Sequence, residues 1–133
     1  MVERNLVLIK PDAVERNLVG EILSIYEKAG LKIIAMKMEH VSEEKAKIHY
    51  ASHEGQEYFD RLVKFLSRSP IVALVLEGEN ATHIIRTLNG SSKNPAPDTI
   101  RAKYAVSSTE NSVHSSDSEE SAKREIALWF DQI

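Results

Sequence analysis

The chain has 133 residues, of which 42% are hydrophobic and 28% charged, with a formal net charge of −3. That length suits one domain with its own core, burying roughly 65–70% of the unfolded surface; the charge excludes bulk attraction for polyanions, so phosphate chemistry would need a local basic cluster. The lack of cysteine excludes disulfides, thiolate metal sites and a cysteine nucleophile. Leu6-Val7-Leu8-Ile9 is a short apolar run ended by Lys10-Pro11-Asp12, which predicts a buried strand with Lys10 at its end. This run is too short for a signal-peptide core or a membrane span, so a cytoplasmic protein without membrane partners is expected. Helical spacing of Leu18, Ile22, Ile25, Tyr26 and Ala29 predicts one helix from about Ala13 to Ala29, with Gly30 as its stop. Leu31 to Val41 reads as a strand, Ser42 as the cap of a helix to about Tyr50, and Gln56 to Leu66 as a second amphipathic helix.

After Pro70, Ile71 to Leu76 is the most strand-like segment, closed by Glu77-Gly78. Asn80 can cap a helix to Leu88 that stops at Asn89-Gly90. No period holds from Ser91 to Ser116, which predicts a long loop of the kind that is usually functional or disordered. Asp117 or Ser118 then caps a short helix to about Arg124, and Ile126 to Phe130 reads as a last strand. The order fits a single domain over residues 1–133 in the α+β class: a ferredoxin-like βαββαβ plan, its four-stranded antiparallel sheet covered by helices.

Fold alone does not name a function. An RNA-binding sheet would expose aromatics on its central strands over a basic face; Leu6 to Ile9 and Ile71 to Leu76 contain none, so no specific nucleic-acid partner is expected. Gly-rich phosphate loops of either common type are absent. Side chains must therefore hold any phosphates, and Lys10, Arg86 and Arg101 stand at element ends or in loops where a ligand could reach them. One charge pair at ~4 Å is worth roughly 4 kcal/mol at an effective dielectric of 20, so three bases with one Mg²⁺ would balance a triphosphate. Taken singly, each of the three reads better as a solvated surface charge.

His114 lies in a polar loop just before a helix start, three residues after Asn111. With an ordinary pKa near ~6.5, much of a histidine is free base at neutral pH and able to attack phosphorus. Such an imidazole needs its second nitrogen fixed by an acceptor, and Glu125, two helical turns beyond Ser118, could supply it. A loop histidine beside a capping residue is the ordinary alternative. His49 and His53 stand four apart beside Glu54, with no obvious third metal ligand, and neither they nor His40 and His83 receive a role.

Nearly the whole chain, from Asn5-Leu6-Val7-Leu8-Ile9-Lys10-Pro11-Asp12-Ala13 to Glu125-Ile126-Ala127-Leu128-Trp129-Phe130, resembles the nucleoside diphosphate kinases. The most specific part is Asn111-Ser112-Val113-His114-Ser115-Ser116-Asp117-Ser118, and His49-Tyr50, Leu76-Glu77-Gly78, Asn94-Pro95-Ala96 and Thr99-Ile100-Arg101 follow in family order. The resemblance implies that His114 accepts the phosphate, that Glu125 orients it with Ser116 near both, and that Lys10 and Tyr50 sit beside the transferred group. It implies ribose contacts from Lys10 and Asn111, phosphate contacts from Arg86, Arg101 and Ser92 with Ser91 as competitor, and base stacking on Tyr58 backed by Leu62. Mg²⁺ would be held mainly by the nucleotide phosphates and water, near Asp117. Expected partners are nucleoside tri- and diphosphates and further copies of the chain, in a tetramer or hexamer built from dimers. Three positions depart from the family. Ser115 replaces a Gly or Ala, Ser108 replaces an apolar residue over the base, and the segment Gly90 to Arg101 is about two residues shorter, with one residue added before Asn94.

Overall fold

In the computed structural model, which describes residues 1–131, strands β1 (Val2–Ile9), β2 (Lys32–Glu39), β3 (Ile71–Glu79) and β4 (Val113–Ser115) form an antiparallel sheet in the order β2-β3-β1-β4. Helices α1 (Pro11–Glu15), α2 (Val19–Lys28), α3 (Glu43–His49), α4 (Phe59–Leu66), α5 (Ala81–Asn89), α6 (Ile100–Tyr104) and α7 (Glu119–Trp129) connect and cover it. The topology is the expected ferredoxin-like one. Among the described residues no helix is long and apolar enough to cross a membrane.

Side chains alternate across a strand, so a strand covered on both faces reads as a continuous apolar run. Leu6 and Leu8 pack with Ala73, Val75, Leu66 and Trp129 on one face, while Val7 and Ile9 pack with Leu74, Leu76, Ile22, Tyr26 and Ile85 on the other. Because β1 is central, its C-terminal end delivers Lys10 to the same edge of the sheet that β4 reaches, with Leu8 opposite His114 and Ile9 opposite Val113.

Several expectations are corrected. Residues 126–130 are no strand: Ile126 to Trp129 finish α7, and Phe130 follows it. Ala122, Glu125, Ile126 and Trp129 fall at i, i+3, i+4 and i+7, a helical stripe that packs on β1, and a short apolar run cannot distinguish the two periods. The fourth strand is the three-residue β4, inside the stretch expected to be loop, and that stretch also holds α6, capped by the Thr99 hydroxyl on Ala102 N. The single helix expected from Ala13 to Ala29 is two, divided where Asn17 takes a left-handed conformation with φ of 61°. Pro11 occupies the first turn of α1, where its missing N–H is no loss.

Ser42 and Ser118 cap α3 and α7 through their hydroxyls, as a serine before a helix suggests. Asn80 instead sits at φ 52° without a side-chain cap, and the carboxylate of Glu3 on β1 accepts from Thr82 N at 3.0 Å in its place. Gly90 ends α5 at φ 86°, and a Cβ there would lie 2.5 Å from Thr99 Oγ1. Both the conformation and the close approach require glycine.

Candidate active site

Two turns of chain meet at the end of the sheet. The backbone N–H of Lys10 donates to Ser112 O at 2.8 Å, and the buried Asp12 carboxylate accepts from both the N–H and the hydroxyl of Ser112. These contacts hold Ser112 at φ 76°, a costly conformation for a residue with a Cβ. The chain then turns into β4 with Asn111 facing Lys10, and Lys10 Nζ donates to Asn111 Oδ1 at 2.9 Å. Lys10 is 5% exposed. Burial, followed by the charge of Arg101, brings its ammonium down to about 7, with Asp12 opposing.

His114 follows on β4, and α7 returns Glu125 to it. His114 Nε2 and Glu125 Oε1 are 2.6 Å apart, and Ser116 Oγ donates to the same carboxylate oxygen at 3.0 Å. Ser116 is itself fixed by its N–H on Asn5 Oδ1 and Leu6 O. Burial pushes the Glu125 carboxyl up, with His49, Ser116 and Arg124 opposing. Burial, then Lys10 and Arg101, brings the His114 imidazole down to about 3, so the ring is neutral at physiological pH. With Glu125 accepting, the hydrogen sits on Nε2 and the lone pair on Nδ1, which makes no hydrogen bond among the described residues.

Arg101 reaches from α6 across the gap between two elements. Its Nη1 donates to Gly90 O at 2.6 Å and its Nη2 to Val113 O at 2.8 Å, so the guanidinium braces the turn after α5 against β4. Its Nε is buried without a partner among the described residues. Arg86, Gly90, Ser91, Ser92, Arg101 and Ser115 line a pocket of about 380 Å³. Ser115 also lines the adjoining pocket of about 250 Å³ that holds His114, Tyr50, Asp117, Arg124 and Glu125. The basic pocket and the histidine are thus neighbours that meet at Ser115.

The sequence-named residues separate into two groups. Lys10, Tyr50, Asn111, His114, Ser116 and Glu125 cluster at the strand ends, with Arg86, Arg101, Ser91 and Ser92 around the adjoining pocket. The Tyr50 hydroxyl is buried with no partner among the described residues, and burial pushes it above its ordinary pKa. Ser91 Oγ accepts from Lys93 N at 3.1 Å, whereas Ser92 makes no side-chain hydrogen bond among the described residues, which leaves Ser92 the freer hydroxyl. Tyr58 precedes α4 and its hydroxyl meets His53 Nδ1 at 2.9 Å; Leu62, one turn on, packs into the core beneath. Ser108 is exposed in the turn before Asn111, where it lines a broad cleft with Asp60, Arg61 and Arg68 of the α4 region and not either pocket. Its carbonyl nonetheless accepts from Asn111 Nδ2 at 3.0 Å.

Residues 3–133 match the family model described as nucleoside diphosphate kinase. The chain belongs to the nucleoside diphosphate kinase family. The nucleoside diphosphate kinase of Actinobacillus pleuropneumoniae serotype 3 is 55% identical over 133 residues, 98% of this chain and 96% of the relative. That of Clostridium perfringens strain 13 is 54% identical over 134 residues, 99% of this chain and 94% of the relative. The structure of the Aquifex aeolicus nucleoside diphosphate kinase aligns with a TM-score of 0.95 at 40% identity, covering 98% of this chain and 96% of that one. A halophilic nucleoside diphosphate kinase from Halobacterium salinarum, solved in complex with CDP, aligns with a TM-score of 0.95 at 42% identity, covering 99% and 90%.

Sequence reading passed over several residues that build the site of this family member. Asp12, Asn5 and Ser112 hold the strand ends together, and their partners are about a hundred positions away. His49, which received no role from its spacing to His53, stands with its ring centroid 4.5 Å from that of His114.

Proposed function

We propose that this nucleoside diphosphate kinase transfers the terminal phosphoryl group of a nucleoside triphosphate to a nucleoside diphosphate through a phosphohistidine at Nδ1 of His114. The observation that carries this reading is the 2.6 Å bond from His114 Nε2 to Glu125, which commits one ring nitrogen and leaves the other as the nucleophile. The Nδ1 lone pair attacks the terminal phosphorus, the bond to the bridging oxygen breaks, and that oxygen leaves with the electron pair on the departing diphosphate. A terminal oxygen of a second diphosphate then attacks the phosphohistidine, and the P–N electrons return to Nδ1. Phosphorylation makes the imidazole cationic, and Glu125 beside Nε2 stabilises that charge.

Arg86, Arg101 and Ser92 hold the phosphates in this reading, and the Tyr50 hydroxyl and Lys10 reach the transferred group. Lys10 and Asn111 bind the ribose, and Tyr58 over Leu62 stacks the base, with Ser108 at its other side. The CDP complex of the halophilic relative supports a nucleoside diphosphate as ligand. Mg²⁺ prefers oxygen donors, and Asp117, an exposed carboxylate lining the pocket of His114, fits it beside the phosphates. Its chemistry there is to neutralise charge on the triphosphate. Cytoplasm, where nucleotides abound, suits the activity. Assembly from dimers into a tetramer or hexamer belongs to the same reading; β2 is an edge strand with Met36 and Met38 exposed, an unpaired ladder of the kind that a second copy covers.

Incubation with Mg²⁺ and terminally labelled ATP should give acid-labile, base-stable label that added nucleoside diphosphate removes. Unlabelled native protein overturns the activity, and equal labelling of His114→Ala overturns the mechanism.

A further inference from the structure

Trp129, the last residue of α7, and His49, the last residue of α3, are 80 positions apart in sequence. Trp129 Nε1 donates to His49 Nδ1 at 3.2 Å. An indole N–H can only donate, so Nδ1 of His49 must present its lone pair and Nε2 must carry the hydrogen. His49 is 4% exposed, and its Nε2 is buried with no partner among the described residues. The ring stands edge-on to Tyr50 at 4.8 Å between centroids, to His114 at 4.5 Å and to Trp129 at 5.6 Å, with interplanar angles of 74°, 77° and 76°.

One nitrogen of His49, one of His114 and one carboxylate oxygen of Glu125 lie within 4.8 Å of one another. Two imidazoles and a carboxylate could in principle bind zinc. The Trp129 bond argues against it. Ligation through Nε2 would move the His49 proton to Nδ1, where it would oppose the indole N–H, and a buried donor would lose its acceptor. His49 therefore stands beside the His114–Glu125 pair as a neutral imidazole whose tautomer Trp129 sets. The charged and titratable groups around it are Tyr50 next in the chain, His114 on β4, Glu125 and Arg124 on α7, and Lys10 at the end of β1; burial first, then His114, Lys10 and Arg124 against Glu125, hold His49 well below its ordinary pKa.

We propose that His49 is a positioning residue for the phosphoryl carrier: locked by Trp129 in one tautomer, it holds the plane of the His114 ring by edge-on packing. This rests on His114 being the phosphate carrier. A neutral ring serves where a cation would not, since it packs on the reacting imidazole without adding positive charge beside it. Edge-on packing against a neighbour restricts rotation of a ring about χ2, and misplacement of a nucleophile by about 1 Å is enough to cost on the order of 100-fold in rate.

The test is single-turnover labelling of His114 by terminally labelled nucleoside triphosphate and Mg²⁺, measured against nucleotide concentration and pH. His49→Phe keeps a ring but removes both nitrogens. It should slow labelling by about 10- to 100-fold while the half-saturating nucleotide concentration moves less than about threefold. His49→Gln restores one acceptor and one donor and should recover about tenfold of that loss. Wild-type labelling by His49→Phe, or equal impairment of Phe and Gln variants, overturns the proposal. Trp129→Phe leaves His49 in place without its lock; it should slow labelling less and shift the acidic limb of the pH profile. An unshifted profile at wild-type rate overturns the proposal even if His49→Phe does not fold. Native protein that takes up no label at His114 refutes the phosphohistidine reading instead, so the two failures are distinct.

Discussion

Glu125 Oε1 stands 2.6 Å from His114 Nε2 and accepts the Ser116 hydroxyl from the other side. The carboxylate thus has both as partners, and through Oε1 it fixes the direction of His114 Nε2. Glu125→Gln keeps the size of the side chain but replaces an anion with a neutral amide. It is expected to lower kcat/KM by about 10- to 100-fold with little change in circular dichroism, which steady-state kinetics checks.

Lys10, brought down to about 7 by burial and by Arg101, is largely neutral at pH 8 without ligand. In the proposed reading nucleotide phosphates come beside it and favour the charged form, so binding at pH 8 should take up protons. Calorimetry of nucleoside diphosphate binding in two buffers of different ionisation enthalpy measures this directly. Identical apparent enthalpies would sink the idea, and Lys10→Met should abolish the buffer dependence.

Burial also sets the acid stability. The His114 pKa is about 3 in the folded state against an ordinary value near 6.5, so the unfolded chain binds more protons between these values. Stability is then full above about pH 6.5 and falls as pH drops toward 3. His49, lowered for the same first cause, adds to this slope, and the raised Glu125 opposes it only above its ordinary value of 4.5. Urea midpoints between pH 7 and 4 should decline, and His114→Gln should decline less steeply than wild type.

Gly90 stands at φ 86° with Thr99 against the position of a Cβ. Gly90→Ala should cost about 1–3 kcal/mol of stability and raise KM, because Gly90 O is one of the two carbonyls that hold Arg101. Thermal unfolding and nucleotide saturation curves check the two effects separately.

Arg101 uses its planar fork to reach Gly90 O and Val113 O from one side chain. Arg101→Lys keeps a charge but cannot bridge both carbonyls. We expect KM for the triphosphate to rise by about tenfold or more, from a loss of roughly 1.4 kcal/mol or greater. Unchanged saturation would show that charge alone is sufficient there.

The central strands were legible because burial on both faces of the sheet makes Leu6 to Ile9 and Ile71 to Leu76 apolar without interruption. The serine cap at Ser42 and the glycine stop at Gly90 were legible because their chemistry is local, and the structure chose Ser118 over Asp117 as the cap of α7. β4 was not, since three residues carry no measurable period and its place depends on pairing with β1. Ile126 to Trp129 misled for the opposite reason: an apolar run is ambiguous until the sheet supplies a face for α7 to cover.

Of the site, the sequence by itself determined the chemical types: an imidazole in a polar segment, three bases at element ends, and the motif order that marked the family. What only the tertiary structure decided is which nitrogen of His114 is free, how far Lys10 is desolvated, and that His49, bonded to Trp129, packs against the His114 ring. Tautomer, burial and ring packing depend on neighbours tens of residues away, so they exist only once the sheet has brought β1, β4, α3 and α7 to one edge.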